Sequence, residues 1–281
     1  MLAPSAFGSL TVSIYQHKLF TAAGLFLYGK RANCILAPLW PGREHYDKAS
    51  HLPTIGLMNL PRVVSIHVGK VAPLGPEGVP SAFVKQQVQG PVKVGRLGLE
   101  GDEQADLSVH GGPEKAVYAY SLANYPVWRQ EYPQHAAVLI PGAFGENLCI
   151  EDLQESDLCI GDVHRIGSSR LQVCQPRQPC FKLALRFDDK FMPKAMIRTG
   201  RAGWYYRVLE TGVIATGDTV QLDDRPNPDF PFARLVELIS QGKATQAELE
   251  RLQDMKGLAS GWQQRAGEIL ARLGESPIEH R

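Results

Sequence analysis

A chain of 281 residues that is 44% hydrophobic and 21% charged has enough apolar side chain for a substantial core, which excludes a disordered protein and suits one large domain or two modest ones. Its 30 Lys and Arg against 29 Asp and Glu leave a formal charge of +1, and no cationic run is long enough to track a phosphate backbone, so direct nucleic-acid binding is not expected. The longest early apolar run, LFTAAGLFLY at 19–28, falls well short of the roughly 20 residues of a membrane-spanning helix, so the chain reads as soluble, without a membrane partner.

In chain order, the first segment is the least protein-like. It lacks the charged start, apolar centre and small-residue cleavage site of an export signal, and its first acidic residue is Glu44. A strand pattern begins at Arg62, just after Met58. A transit peptide is the lesser reading; residues 1–57 are expected to be a poorly ordered extension or upstream translated sequence, with the folded protein starting at 58. Cysteines at 34, 149, 159, 174 and 180 are odd in number and irregular in spacing, which argues against a disulfide framework and for a cytoplasmic protein.

Residues 58–222 read as short strands broken by Gly and Pro, a mainly β pattern with helical inserts. The strand candidates are RVVSIHVGKV (62–71), SAFVKQQVQG (81–90), AVYAY (116–120), ENLCI (146–150), DVHRIG (162–167), RLQV (170–173), WYYRVL (204–209) and DTVQL (218–222). Helices are expected at 121–132 and at 193–199, where Pro193 suits a first turn and Gly200 a stop. DDRPNPDF (223–230) reads as a linker, because its prolines cannot continue a central strand. Residues 231–281 then change to helical spacing: Phe232, Leu235, Val236 and Ile239 ending at Gly242, a capping box at Thr245 and Glu248, and a second at Ser260 and Gln263. Three short helices follow, too short to be stable unless packed.

The stretch with most chemical content is QVCQPRQPCFKL (172–183). Pro176 and Pro179 each remove a backbone donor, giving a stiff loop that delivers Cys180 beside Arg177. If FKLALRF is a helix, Cys180 sits at its N-terminus, where free amides favour thiolate over thiol. A thiolate serves a nucleophile or a metal ligand; a buried small hydrophobe is the other reading. Zinc and iron-sulfur sites fit poorly, since no C-x-x-C pair or His pair accompanies the cysteines. Cys149 and Cys159 lie in apolar strands and read as packing.

Two further segments carry polar groups among glycines. GLEGDEQADLSVHGGPEKAVYAY (98–120) places Glu100, Asp102, Glu103 and Asp106 before His110-Gly111-Gly112-Pro113 and Lys115, a backbone that can approach an anion closely or simply turn. PGAFGENLCI (141–150) brings Asn147, with one acceptor and two donors, into a strand after Gly145.

Taken jointly, GLEGDEQADLSVHGGPEKAVYAY, AFGENL, Gly-Asp before a strand, QPRQPCFKL and GWYYRVL resemble the MOSC domain family, in the bacterial subgroup associated with 6-N-hydroxylaminopurine resistance, over roughly residues 61–275. The resemblance implies a MOSC-type β-barrel followed by a small three-helix domain. It implies a molybdenum cofactor (molybdopterin), with Cys180 as thiolate ligand to molybdenum and as the catalytic group. His110, Gly111 and Gly112 would line the same cleft, Lys115 and Asn147 would hold the cofactor's polar edges, and Arg177 would serve its phosphate or tune the thiolate. Cys174 would be packing. The implied activity is reductive removal of the hydroxyl of N-hydroxylated purines or amines, with electrons supplied by an external reductase. A cofactor or sulfur carrier using the same cysteine, or a metal-free nucleophile pairing Cys180 with His110, are the other readings. A monomer or homodimer is expected.

Overall fold

The computed structural model describes residues 60–106 and 110–275. The expected extension at 1–57 and the start at Met58 lie outside the described residues. The chain runs through β1 (Arg62–Val68), β2 (Ala72–Leu74), β3 (Val79–Ser81), β4 (Gln86–Val88), β5 (Val92–Gly95), β6 (Gly98–Leu99), β7 (Val117–Ser121), α1 (Asn124–Glu131), β8 (Leu148–Glu151), β9 (Val163–Ile166) and β10 (Ser169–Pro176). It continues through α2 (Phe181–Phe187), α3 (Met192–Thr199), β11 (Trp204–Glu210), β12 (Gly212–Ile214), β13 (Val220–Asp224), α4 (Phe232–Gln241), α5 (Gln246–Gln253) and α6 (Ser260–Glu275). The mainly β class with helical inserts is what the sequence predicts.

One eight-stranded sheet, in the order β13-β9-β10-β11-β7-β8-β1-β4, organises the body. All its pairs are antiparallel except β7 with β8, which are linked by a crossover containing α1. β7 is buried at every position, so both faces of its strand must be apolar. Val117 and Ala119 face one core with Leu148, Ile150 and Val173, while Tyr118 and Tyr120 face a second with Cys149 and Phe144. The first core extends into α4, α5 and α6 through Phe232, Leu235, Leu249 and Ala266. The second is closed by α1, α2 and α3 through Trp128, Leu183 and Met196.

The expected barrel is not a closed ladder. The sheet curls until Arg62 of β1 forms a single bridge with Thr219, ahead of β13, reinforced by Val63 N–H to the Asp218 carbonyl at 3.0 Å and Val220 N–H to the Pro61 carbonyl at 2.7 Å. Continuous closure fails because the other side of β1 is occupied by β4 over only three residue pairs. The expected strand at 81–90 is accordingly split, with β3 ending at Ser81 and only Gln86–Val88 on the main sheet. Conversely, β10 runs on to Pro176, past the expected end at Val173, because a bulge between Val173 and Gln175 lets it stay paired with β11.

Gly200 ends α3 in the left-handed region at φ 70°, and Thr245 with Glu248 forms the predicted reciprocal capping box of α5. The second predicted box does not form. Ser260 directs both its amide and its hydroxyl to the Glu114 carboxylate at 2.9 Å, and Gln263 donates to the Met255 carbonyl at 3.0 Å. A carboxylate from a distant loop is a stronger partner for helix-terminal N–H groups than a neutral amide. Segment 223–230 is held to the body, with Arg225 paired to Asp162 at 2.7 Å and the Asn227 amide donating to the Ile160 and Lys256 carbonyls.

Gly203, leading into β11, sits at φ +66°, and a Cβ there would lie 2.4 Å from the Ala119 carbonyl oxygen. Gly203→Ala is expected to lower stability by about 1–3 kcal/mol. An unchanged urea midpoint would contradict this close approach.

Candidate functional site

Where β10 ends, the Pro-Arg-Gln-Pro loop turns into α2 and places Cys180 at that helix's N-cap with extended backbone. FKLALRF is thus helical, and the thiol stands at the edge of a cleft lined also by His110, Lys115, Asn147, Arg177 and Lys182. Cys180 is half-buried, whereas Cys149, Cys159 and Cys174 are buried. Burial alone would raise its pKa, but a hydrogen bond from His110, the charge of Arg177 and the Lys182 N–H outweigh it and bring the thiol down to about 7. Cys174 goes the other way: burial pushes it up to about 12, and its Sγ donates to the Glu114 and Tyr205 carbonyls. The two cysteines of QVCQPRQPC are chemically different because one is inside the sheet and the other caps a helix at a cleft.

Arg177 is buried to 7% exposure, donates to the Phe144 carbonyl, and lies over the Phe83 and Tyr118 rings at 5.0 and 4.9 Å. The carbonyl it needs is presented by the turn at 142–146. Glu146, fully buried, organises that turn by accepting from the Gly142 N–H at 2.6 Å, the Phe144 N–H at 3.1 Å and the Tyr125 hydroxyl. Burial pushes the Glu146 carboxyl above the usual range against the pull of these donors.

Asn147 lines the cleft, yet its amide is already engaged. Its Oδ1 accepts from the Tyr118 N–H at 3.0 Å, and its Nδ2 donates to the His67 carbonyl at 3.1 Å and to Asp102 Oδ2 at 2.9 Å. Asn147 thereby staples β1, β7 and Asp102 together at the cleft wall. Gly111 and Gly112 are displaced from the expected cleft. Pro113–Lys115 forms a 3-10 turn that faces them toward a neighbouring groove beside α6, while Lys115 borders both cavities.

Sequence reasoning missed Lys85, Lys182, Tyr118 and Tyr205 as cleft residues. Lys85 is a single cation between Val84 and Gln86, and its Nζ pairs with Asp102 Oδ1, which also accepts the Gly69 N–H at 2.7 Å. Burial lowers the Lys85 pKa and Asp102 opposes it. Lys182 donates to the Pro80 carbonyl at 3.0 Å. The acidic loop thus contains a buried anchor, Asp102. In sum the cleft gathers one ionisable thiol, a histidine, four cationic side chains and the carboxylates of Asp102 and Glu103, with Asp102 paired to Lys85; the cationic excess suits an anionic ligand held beside a sulfur donor. No group of three or more His, Cys, Asp and Glu with metal-binding geometry occurs among the described residues, which leaves Cys180 as a single thiolate donor. No helix among them is long and apolar enough to cross a membrane.

The MOSC domain is matched over residues 106–221. Protein YiiM of Escherichia coli strain K12 is 37% identical over 199 residues, covering 71% of this chain and 88% of that protein. A protein of Gibberella moniliformis named reductase is 41% identical over 196 residues, covering 69% of this chain and 35% of that longer protein. The crystal structure of YiiM from Geobacillus stearothermophilus superposes with a TM-score of 0.63 at 32% identity, covering 75% of this chain and 99% of that one.

The lowered thiol predicts a distinctive reactivity profile for the metal-free protein. Alkylation of Cys180, followed by peptide mass, is expected to rise through pH about 7, below the roughly 8.5 of an ordinary cysteine. His110→Ala is expected to move that midpoint upward, and an unshifted profile would remove His110 from the site.

Proposed function

Because the chain belongs to the MOSC domain family, in its YiiM branch, we propose that it is a molybdenum-cofactor-dependent reductase of N-hydroxylated compounds, with Cys180 as the protein ligand to molybdenum. The observation that carries the reading is the half-exposed thiol, ionised near neutral pH, at the mouth of a cleft rich in cations. A dithiolene-bound metal needs only one protein sulfur to complete its soft ligand set, so a solitary thiolate fits. Lys115, Arg177 and Lys182 would provide charge complementary to an anionic phosphate, while Lys85 is paired with Asp102. The donor set of the cleft therefore fits the cofactor.

When bound, the cofactor supplies two-electron redox chemistry. The net conversion is R–NH–OH plus two electrons and two protons to R–NH₂ and water, in which the N–O bond breaks. The protein's own groups have separate tasks. The Cys180 sulfur is held as thiolate by the His110 hydrogen bond and the Arg177 charge. Glu146 and the Phe144 carbonyl keep Arg177 in place, and Asn147 ties Asp102 to the cleft wall. His110, which lines the cleft, would serve as proton donor to the departing oxygen. Electrons enter from a separate reductase. The reading extends to a cytoplasmic enzyme acting on small N-hydroxylated purines or amines as a monomer or homodimer.

Protein purified from a host that makes the cofactor is expected to carry about one molybdenum per chain and to dehydroxylate an N-hydroxylated amine with an artificial reductant. Cys180→Ser is expected to lower both metal content and rate by at least tenfold. Full activity in metal-free protein, or in the serine variant, would sink the proposal; bound molybdenum without turnover would instead make the chain a carrier.

A further inference from the structure

Beside the cleft lies a second cavity of about 320 Å³, bounded by the Gly-Gly-Pro turn, the end of β10 and the first turn of α6. It is joined to the Cys180 site in two ways. Lys115 borders both cavities. Gln178, which lines the groove, is two residues from Cys180, so their Cα atoms lie within about 7 Å of each other.

The groove's walls are fixed. Glu114 clamps the start of α6 through the Ser260 amide and hydroxyl at 2.9 Å, and its own carbonyl accepts from the buried Gln175 amide at 2.8 Å. On the α6 side stands Trp262, half-buried against the core, with the Arg265 guanidinium 5.8 Å from its ring centroid. An indole, a guanidinium and an exposed Gln178 amide together suit a flat ring that carries nitrogen donors and acceptors. The volume is of small-molecule size.

We propose that this groove receives the planar heteroaromatic part of the substrate while its N–OH group reacts in the Cys180 cleft, an inference that rests on the reductase reading. The C-terminal helix then contributes to substrate selection: ring-bearing substrates gain contacts with α6 that a bare hydroxylamine cannot make.

Gly261 gives a clean test, because it lines the groove and a Cβ built there meets no atom within 4 Å. Gly261→Leu should therefore narrow the groove without disturbing the core, with Gly261→Ala as control and the exposed Arg265→Ala as a second variant. The first measurement is calorimetric binding of 6-aminopurine to cofactor-free protein. Gly261→Leu and Arg265→Ala are each expected to weaken it about tenfold and Gly261→Ala to leave it unchanged. The second is turnover by loaded enzyme with an artificial reductant: KM for an N-hydroxylated purine should rise by a similar factor, kcat should hold, and reduction of hydroxylamine itself should be unaffected. The binding measurement reads the groove even if the loaded protein reduces nothing, so the two proposals fail separately. Absence of 6-aminopurine binding to the unaltered protein, unchanged affinity in Gly261→Leu, or equal losses on hydroxylamine would overturn the inference. A loss seen only with a protein electron donor would assign the groove to that partner and overturn it as well.

Discussion

A buried guanidinium without a carboxylate partner is the constraint on which the site depends. Arg177 makes no ion pair with Asp or Glu among the described residues, yet it is nearly inaccessible to water. An unsolvated cation is strongly destabilising unless other groups replace its hydration. Here the replacements are the Phe144 carbonyl, the Phe83 and Tyr118 rings and the Cys180 sulfur, drawn from four separate stretches of chain. The desolvated cation–π contacts are worth about 2 kcal/mol at best. No carboxylate neutralises the remaining charge, and it acts on the ionisable groups around it, Tyr118, Tyr205 and Cys180, of which the thiol is the one whose pKa is brought down to about 7. The same burial that is costly for the arginine is what makes the thiolate favourable.

Holding that arrangement requires rigid turns rather than more sheet. Glu146 fastens the turn that aims the Phe144 carbonyl, and Gly203 supplies the carbonyl that accepts the Arg177 backbone N–H at 3.3 Å. Gly203 is in turn held by Glu155, whose carboxylate accepts its N–H at 2.9 Å. Burial raises the pKa of both Glu146 and Glu155, yet each is compensated by backbone donors. Two buried carboxylates thus reach the arginine through the backbone instead of touching it, leaving its positive field for the cleft.

What could be read from the sequence and what could not divides along range of interaction. Cys180 was legible because its neighbours in sequence, Pro176, Arg177 and Pro179, already stiffen and charge the loop. The capping box at Thr245 was legible for the same reason, all its donors and acceptors being within three residues. Asn147 was legible as a special residue, but its partners His67, Tyr118 and Asp102 were not, being remote in the chain. Lys85 and Lys182 carried no local signal beyond being single cations, Lys85 between Val84 and Gln86 and Lys182 between Phe181 and Leu183. The capping expected at Ser260 failed because a partner 146 residues away competed and won. Closure of the barrel likewise depends on how far the sheet twists, which no strand pattern encodes.

That remote partner, Glu114, shows how the terminal helices bear on chemistry. It stands between His110 and the cleft on one side and α6 on the other, and Arg207 of β11 holds its carboxylate at 2.6 Å. The same residue uses its carbonyl to hold Gln175 and Cys174 of β10. Movement of α6 would therefore pull on the turn that carries Lys115, and through β10 on the loop that carries Cys180. Burial opposes ionisation of Glu114, but the Ser260 and Arg207 bonds outweigh it and hold the pKa low, so the clamp remains ionised across the neutral range in which the thiolate forms. The helices are thereby fixed to the cleft by a charge-assisted junction that persists through the neutral range in which the Cys180 thiol ionises.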